Sequence, residues 1–319
     1  MSSLQKKAKS FIVEQPIWLF VLACILFFSF STEHFFDIGN FKNILVQTST
    51  IGLIALGLTF VMINGNIDLS VGAVVALSAS LAVDLQSLGM GSAVVIALLS
   101  GLLLGILNGA IVWKTGVDAF IVTLGAMIGI RGLVFVYTQE QSFFAADFSY
   151  SDFGSSTLAG MPTLAIIFIL FTLLMHYILT RTIHGRNTFA VGGNRQASID
   201  AGIRVGPHMV INFAICGFLA ALAGVLLSTQ MGASTPNLGR DFELWAITAV
   251  VLGGTKLTGG SGSIMGTFGG VIAIGVLRNG MNLLEIPAFY VLVIMGSILI
   301  AVLFIDKQVN RGSKQELNV

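Results

Sequence analysis

Charge is what this chain has least of. Asp, Glu, Lys and Arg make up 10% of its 319 residues, where soluble domains carry about 25%. That shortage excludes a water-facing globular surface, because too few charges remain to cover one. Proline is also scarce, at 5 residues, and the two cysteines, Cys24 and Cys216, both sit inside apolar runs. Isolated in this way they offer no disulfide or zinc framework and read as small packing residues. His34, His176, His184 and His208 are scattered, without H-x-x-x-H spacing for a metal. Gly253-Gly254 and Gly259-Gly260 lack the Gly-Lys-Ser/Thr of a phosphate-binding loop, and Ser261 lacks the strand–turn–helix setting of a nucleophile elbow. The expectation is a non-catalytic chain with no metal, cofactor or nucleotide site of its own, and nothing in it points to nucleic acid.

What is present is grease. Apolar residues reach 55%, with 24 Phe and 37 Gly, and the mean hydropathy is +0.92. The apolar runs are about 20 residues long, enough for an α-helix to cross the hydrocarbon, and they lack the alternation of a barrel strand. The fold class is therefore an all-α integral membrane protein, a single membrane domain over 1–319. Spans are expected near 17–31, 44–63, 70–86, 92–113, 118–138, 161–179, 208–231, 242–256, 262–283 and 288–305. That makes about ten transmembrane helices. Lys6, Lys7 and Lys9 precede the first run, yet no A-x-A-like site follows it, so a retained helix is expected there rather than a signal peptide.

The distribution of charge orients these spans. With both termini cytoplasmic, the inside segments hold Lys6, Lys7, Lys9, Lys114, Arg181, Arg186, Arg195, Arg204, Lys256, Lys307, Arg311 and Lys314. The outside loops hold only Lys42 and Arg240, and the long outside loop 139–160 has Glu140, Asp147 and Asp152 but no basic residue. Cytoplasmic loops of membrane proteins carry this excess of Lys and Arg.

A weak echo runs through the chain. Gly105, Asn108-Gly109, Ala119-Phe120 and Gly125 recur as Gly275, Asn279-Gly280, Ala288-Phe289 and Gly296. It pairs the fourth helix with the ninth and the fifth with the tenth. Chance is one explanation; the other is a pair of inverted five-helix repeats, approximately 17–138 and 161–305, as in many transporters.

Few polar groups interrupt the apolar spans. Asn64-Gly65-Asn66-Ile67-Asp68-Leu69-Ser70 is either a broken element at the inner mouth of a path, or an ordinary turn in which Asp68 or Ser70 caps the next helix. Arg131 and Arg278 fall toward the outer ends of their helices. They either line an external vestibule, or snorkel or pair with Glu140, Asp241 or Glu285. Asp68, Asp84, Asp118 and Glu243 stand at helix ends, so no proton relay at mid-membrane is apparent. Gly101, Gly105 and Gly109 share one helix face, as do Gly262, Gly266 and Gly270, and such faces let helices approach closely.

The polar segment Gly185–Gly206 stands apart, with Arg186, Arg195 and Arg204 in an inside loop, 180–207. Asn194 is a good N-cap for a short helix from Arg195 to Ala201, Gly202 a good C′ residue, and Gly192-Gly193 would allow a sharp turn into it. A helix of about seven residues cannot hold itself together in water. It needs a surface: a cytoplasmic subunit, or anionic headgroups held by the arginines.

Four blocks then carry a resemblance. NIDLSVG (66–72), DAFIVTLG (118–125), GR (185–186) with AVGGNRQASIDAGI (190–203), and FELWAITAVVLGGTKLTGGSGSIMGT (242–267) are, in this order, similar to the ribose-type sugar permease family, membrane subunits of bacterial ABC importers. Departures from the family pattern are Asn64-Gly65-Asn66 before IDLSVG, Asp118 where a proline is common, and Glu285-Ile286-Pro287. The resemblance implies a multi-pass protein of the bacterial inner membrane that passes a monosaccharide inward. Its implied partners are a cytoplasmic ABC ATPase, a periplasmic or extracellular sugar-binding protein and a second permease subunit, identical or paralogous. It makes loop 180–207 the ATPase contact, through Arg186, Gly192, Gly193, Asn194 and Gly202, with Gln196 and Asp200 beside them. Candidates for the translocation path are Asn64, Asn66, Asp68, Ser70, Asn108, Phe120, Arg131, Asn279 and Asn282. Two other classes fit the composition: an ion-coupled secondary carrier for a small polar solute, and an ABC permease for a branched-chain amino acid or a cyclitol.

Overall fold

The second helix is the one from which the rest can be built. In a computed structural model, which describes residues 17–287, 289–298, 300–301 and 304, α2 (Ile38–Ile63) holds Asn40, Lys42, Asn43 and Gln47 in its first turns and is apolar almost all round from Ile51 onward. A helix of that kind belongs inside a bundle. From Thr48 to Asn64 every residue of it is buried. Asp37 caps its start, its carboxylate accepting from the Gly39 amide at 2.9 Å.

Around α2 stand α1 (Ile17–Ser31), α3 (Val71–Asp84), α4 (Met90–Thr115), α5 (Ala119–Thr138), α6 (Phe148–Ser155), α7 (Thr163–Arg181), α8 (Ile183–Gly193), α9 (Arg195–Asp200), α10 (Val205–Met231), α11 (Phe242–Leu252), α12 (Ile264–Leu283) and α13 (Phe289–Ile298). Among the described residues, seven stretches, α2, Val71–Leu88, α4, α5, α7, α10 and α12, are long and apolar enough to cross a membrane; α1, α11 and α13 are shorter apolar helices. The all-α membrane fold is as expected, while the bounds of several spans differ from those expected. The stretch expected at 242–256 stops at Leu252, because Gly253 and Gly254 (φ 88°) turn the chain out of the helix. Conversely, α2 begins at Ile38 rather than near 44, where Asp37 supplies a cap that hydropathy does not register. The loop 139–160 is built rather than plain. It holds β1 (Phe143–Phe144), α6, β2 (Thr157–Leu158) and the start of a turn into β3 (Met161–Pro162). β1 pairs antiparallel with β4 (Ala233–Ser234), Phe143 opposite Ser234, which joins the ends of α5 and α10. Lys6, Lys7, Lys9, Lys307, Arg311 and Lys314, used to orient the spans, and Ala288 of the echo lie outside the described residues.

Small residues set the helix contacts. α10 packs on α4, α2 and α3, and α12 packs on α2 and α11. The glycine face of α4 lies against α10: a Cβ at Gly105 would stand 2.9 Å from the Phe213 carbonyl carbon, and one at Gly109 2.9 Å from the Val210 Cα. Gly270 on α12 is as close to Ala249 of α11. In lipid, where burial of apolar surface drives nothing, such close van der Waals contact is what holds helices together. Cys24 and Cys216 are buried free thiols, and Cys216 lies against Gly57 of α2.

Candidate functional site

The polar segment after α7 does not form a loose loop. Thr182 caps α8, its hydroxyl accepting from the Gly185 amide at 3.2 Å. α8 then runs through Gly192 and Gly193, which are its last residues and helical. The sharp turn expected at the glycine pair falls instead on Asn194 alone, whose extended backbone (φ −156°, ψ 104°) separates α8 from α9. The Asn194 side chain accepts from the Ala197 amide at 3.0 Å, and Gln196 Nε2 donates to Asp200 Oδ1 at 3.0 Å. α9 ends in a Schellman turn: the Gly202 amide (φ 81°) donates to Ile199 and the Ile203 amide to Ser198, both at 2.9 Å. Only Ser198 of α9 is buried. Arg186, Gly193, Asn194, Arg195, Gln196, Asp200, Gly202 and Arg204 form an exposed, basic face.

The reason for glycine at 192 is close approach. A Cβ there would overlap the Ile63 carbonyl oxygen and lie 2.7 Å from the Gly260 nitrogen. Gly260 itself donates to Ile63 O at 2.8 Å. A Cβ at Gly259 would lie 2.8 Å from Gly65 Cα and 3.0 Å from Gly192 O, and one at Gly260 2.8 Å from Gly193 Cα. Gly259 and Gly260 both have positive φ, which leaves glycine as the residue that fits. Three of the sequence blocks, 66–72 through its preceding turn, 190–203 and 242–267, thus meet at one junction.

From that junction the chain 66–70 turns inward. Asn64, Asp68, Leu69 and Ser70 are buried, and Gly65 alone is exposed. Asp68 Oδ1 accepts from the Ser70 amide (2.9 Å) and hydroxyl (2.6 Å). Asn108 of α4 donates to the Ser70 hydroxyl at 2.9 Å, and Thr123 of α5 accepts from the Leu69 amide at 3.1 Å. Asn66 Nδ2 reaches Asn64 O at 3.2 Å, whereas Asn64 Nδ2 has no partner. Ser70 makes no side-chain cap to α3. The unwound stretch is therefore a buried element tied to two helices, the kind of irregular backbone that survives at membrane depth.

The remaining path candidates lie elsewhere. Phe120, at the start of α5, is exposed, as is Asn282 near the end of α12. Asn279 is buried in a reciprocal amide pair with Asn40 of α2, and Arg131 donates to Pro236 O (3.1 Å) and Leu238 O (2.8 Å) in the α10–α11 linker. These two join α12 to the start of α2 and α5 to that linker, at the end of the bundle opposite α8. Of the nine, Asn64, Asn66, Asp68, Ser70 and Asn108 come together, and Arg131, Asn279, Asn282 and Phe120 do not join them.

Sequence reasoning missed three groups. Arg278 sits over the Trp245 ring, 4.4 Å from its centre, rather than pairing with an acid. Near Trp245 a cavity of about 110 Å³ opens between α11 and α13, walled by Asp241, Leu244, Thr248, Leu292 and Met295. Beneath α8, His184 Nε2 bonds Asn212 Oδ1 at 2.8 Å and His208 Nε2 bonds Thr188 at 3.1 Å, with the two imidazole rings 4.3 Å apart. Burial holds the His184 imidazole below its ordinary pKa, and the Asn212 bond offsets part of that. Each pairs residues on different helices, so no local spacing marks them.

The family model of the branched-chain amino acid transport system / permease component matches residues 40–303. The chain is 38% identical to the ribose import permease protein of Bacillus subtilis, over 91% of each chain. It is 36% identical to the D-allose transport system permease protein of Escherichia coli, over 92% of this chain and 91% of the other. To the xylose transport system permease protein of Escherichia coli it is 30% identical, with 92% and 91% covered. No solved structure matches.

Proposed function

The chain belongs to the permease-component family of the branched-chain amino acid transport type, with the ribose-type sugar permeases, and from that membership we propose that it is the membrane subunit of an ABC importer for a monosaccharide. The observation that carries the substrate class is the near full-length identity to permeases named for ribose, allose and xylose. The family model is named for amino acids, so a branched-chain amino acid or cyclitol permease is the second reading. The relatives favour sugar over it.

In this reading the chain performs no chemistry and needs no cofactor. A loaded sugar-binding protein docks outside, a separate ATPase binds ATP inside, and the exposed face of α8 and α9 receives the stroke through Arg186, Gly193, Asn194, Gln196, Asp200 and Gly202, while Gly192, also expected at that contact, faces inward against Ile63 and Gly260. A second permease subunit completes the path, and both termini face the cytoplasm of the inner membrane. The buried turn 66–70 has the form of a broken element beside a path.

Two inverted repeats fit the packing. Gly105 of α4 rests on α10, while its echo Gly275 of α12 rests on α2, at Thr48. Each half thus lays its glycine helix on the long helix of the other. Thr115 and Glu285, at equivalent and exposed ends of α4 and α12, should then lie on opposite membrane faces. An impermeant thiol reagent applied to whole cells should label Glu285→Cys and spare Thr115→Cys; labelling of both from one side sinks the repeat.

The test of function is reconstitution with ATPase and binding protein. Sugar uptake should require both proteins and ATP, and Arg186→Ala or Asn194→Ala should lower uptake per ATP hydrolysed by about tenfold. Uptake driven by an ion gradient without ATP would establish the secondary carrier instead.

A further inference from the structure

Gly192, Gly259, Gly260 and Gly65 meet backbone to backbone, with the Ile63 carbonyl among them. Side chains in a contact can change rotamer and absorb a displacement of a fraction of an ångström; bare backbones at this separation cannot. The partners of the junction are not passive either. Ile63 ends α2 and leads into the turn whose Leu69 and Ser70 are held by Thr123 of α5 and Asn108 of α4. Gly259 and Gly260 sit in the loop between α11 and α12. That loop closes on itself through Lys256 N to Ser261 O (3.1 Å) and passes to α12 at Ser263, whose hydroxyl caps it by accepting from Gly266 N at 2.9 Å.

We infer that this glycine junction carries a displacement of α8 as one rigid piece into two places at once, the α2–α3 turn and the α11–α12 loop, with Gly192 as the positioning residue. The inference rests on the ATPase-contact reading of α8 and α9, and extends it to where the motion goes. A push that reached only one of these would move the helices of one half of the chain. Reaching both, it moves α3 and α12 together, which is what alternating access between halves demands.

Two experiments on the assembled importer test it. In Gly192→Ala the added methyl has no room, so α8 must shift off the junction. Uptake per ATP hydrolysed should fall by about tenfold while ATP hydrolysis persists. Gly91→Ala, where the methyl meets nothing within 4 Å, should leave both unchanged. A normal ratio in Gly192→Ala overturns the junction. If instead Asn194→Ala and Arg186→Ala also transport normally, it is the ATPase-contact reading that falls. Because Gly192→Ala could fail to assemble, the second test leaves the junction intact. Spin labels at the exposed positions Ala190→Cys and Thr258→Cys should keep one distance with and without ATP, while the distance from Ala190→Cys to Gln141→Cys at the far end changes. A change in the first distance, or no change in either, overturns the proposal.

Discussion

Asn40 and Asn279 hold each other by two amide hydrogen bonds, Asn40 Nδ2 to Asn279 Oδ1 at 2.9 Å and Asn279 Nδ2 to Asn40 Oδ1 at 2.8 Å. The pair fastens α12 to the first turns of α2. Asn279→Ala removes both bonds and leaves a half-buried Asn40 whose Nδ2 keeps only Phe35 O at 2.9 Å, so the loss of two bonds should cost about 1–3 kcal/mol. Asn40→Leu with Asn279→Leu should recover most of that. Thermal unfolding of the two variants in detergent decides it: equal losses would show that the pair contributes nothing as a pair.

Gly105→Ala is expected to destabilise by a similar amount, for a different reason. The methyl would run into the backbone of Phe213 and Ala214 and force α4 away from α10. Overpacking of this sort costs about 1–3 kcal/mol. Gly129→Ala on α5, with open space around it, serves as the reference in the same melting experiment.

The His184 imidazole makes stability depend on pH. Its folded pKa lies below the ordinary value near 6.5 because burial disfavours the charged ring. Below that pH the unfolded chain takes up a proton that the folded chain resists, so stability is fully present above about pH 6.5 and is lost as the pH falls. His184→Gln, which keeps a donor for Asn212, should flatten the decline of the melting temperature between about pH 7.5 and 5.5. An unchanged slope would exonerate this residue.

Arg131→Gln removes two charge-assisted bonds to Pro236 O and Leu238 O. The α10–α11 linker should loosen, with faster amide exchange confined to residues 233–241 and a stability loss of about 1.5–3 kcal/mol. Uniform exchange across the chain would mean that the arginine does not hold the linker.

What could be read from the sequence was whatever depends on neighbours in the chain. The membrane fold followed from apolar runs, the α9 cap from Asn194, its C-terminal turn from Gly202, and the close helix face from Gly101, Gly105 and Gly109. Gly192 shows where this fails. Its place beside a short helix suggested a turn, but it is glycine because Ile63 and Gly260, far away in sequence, come against it. Asn279 read as a path residue because its partner Asn40 is as distant, and Arg278 gave no hint of Trp245. The short α11 was overrun because a hydropathy window does not feel the break at Gly253 and Gly254.

The burial of α2 has a bearing on the surrounding bilayer. From Thr48 to Asn64 it offers no surface to anything outside the chain, whereas α4 and α5 turn Leu103, Leu107, Ile121, Ile128 and Val136 outward. Acyl-chain length and membrane thickness act on a protein only where it meets them. Changes in lipid composition should therefore reach α2 second-hand, through the outer helices, and leave the central strut indifferent to the membrane in which it is placed.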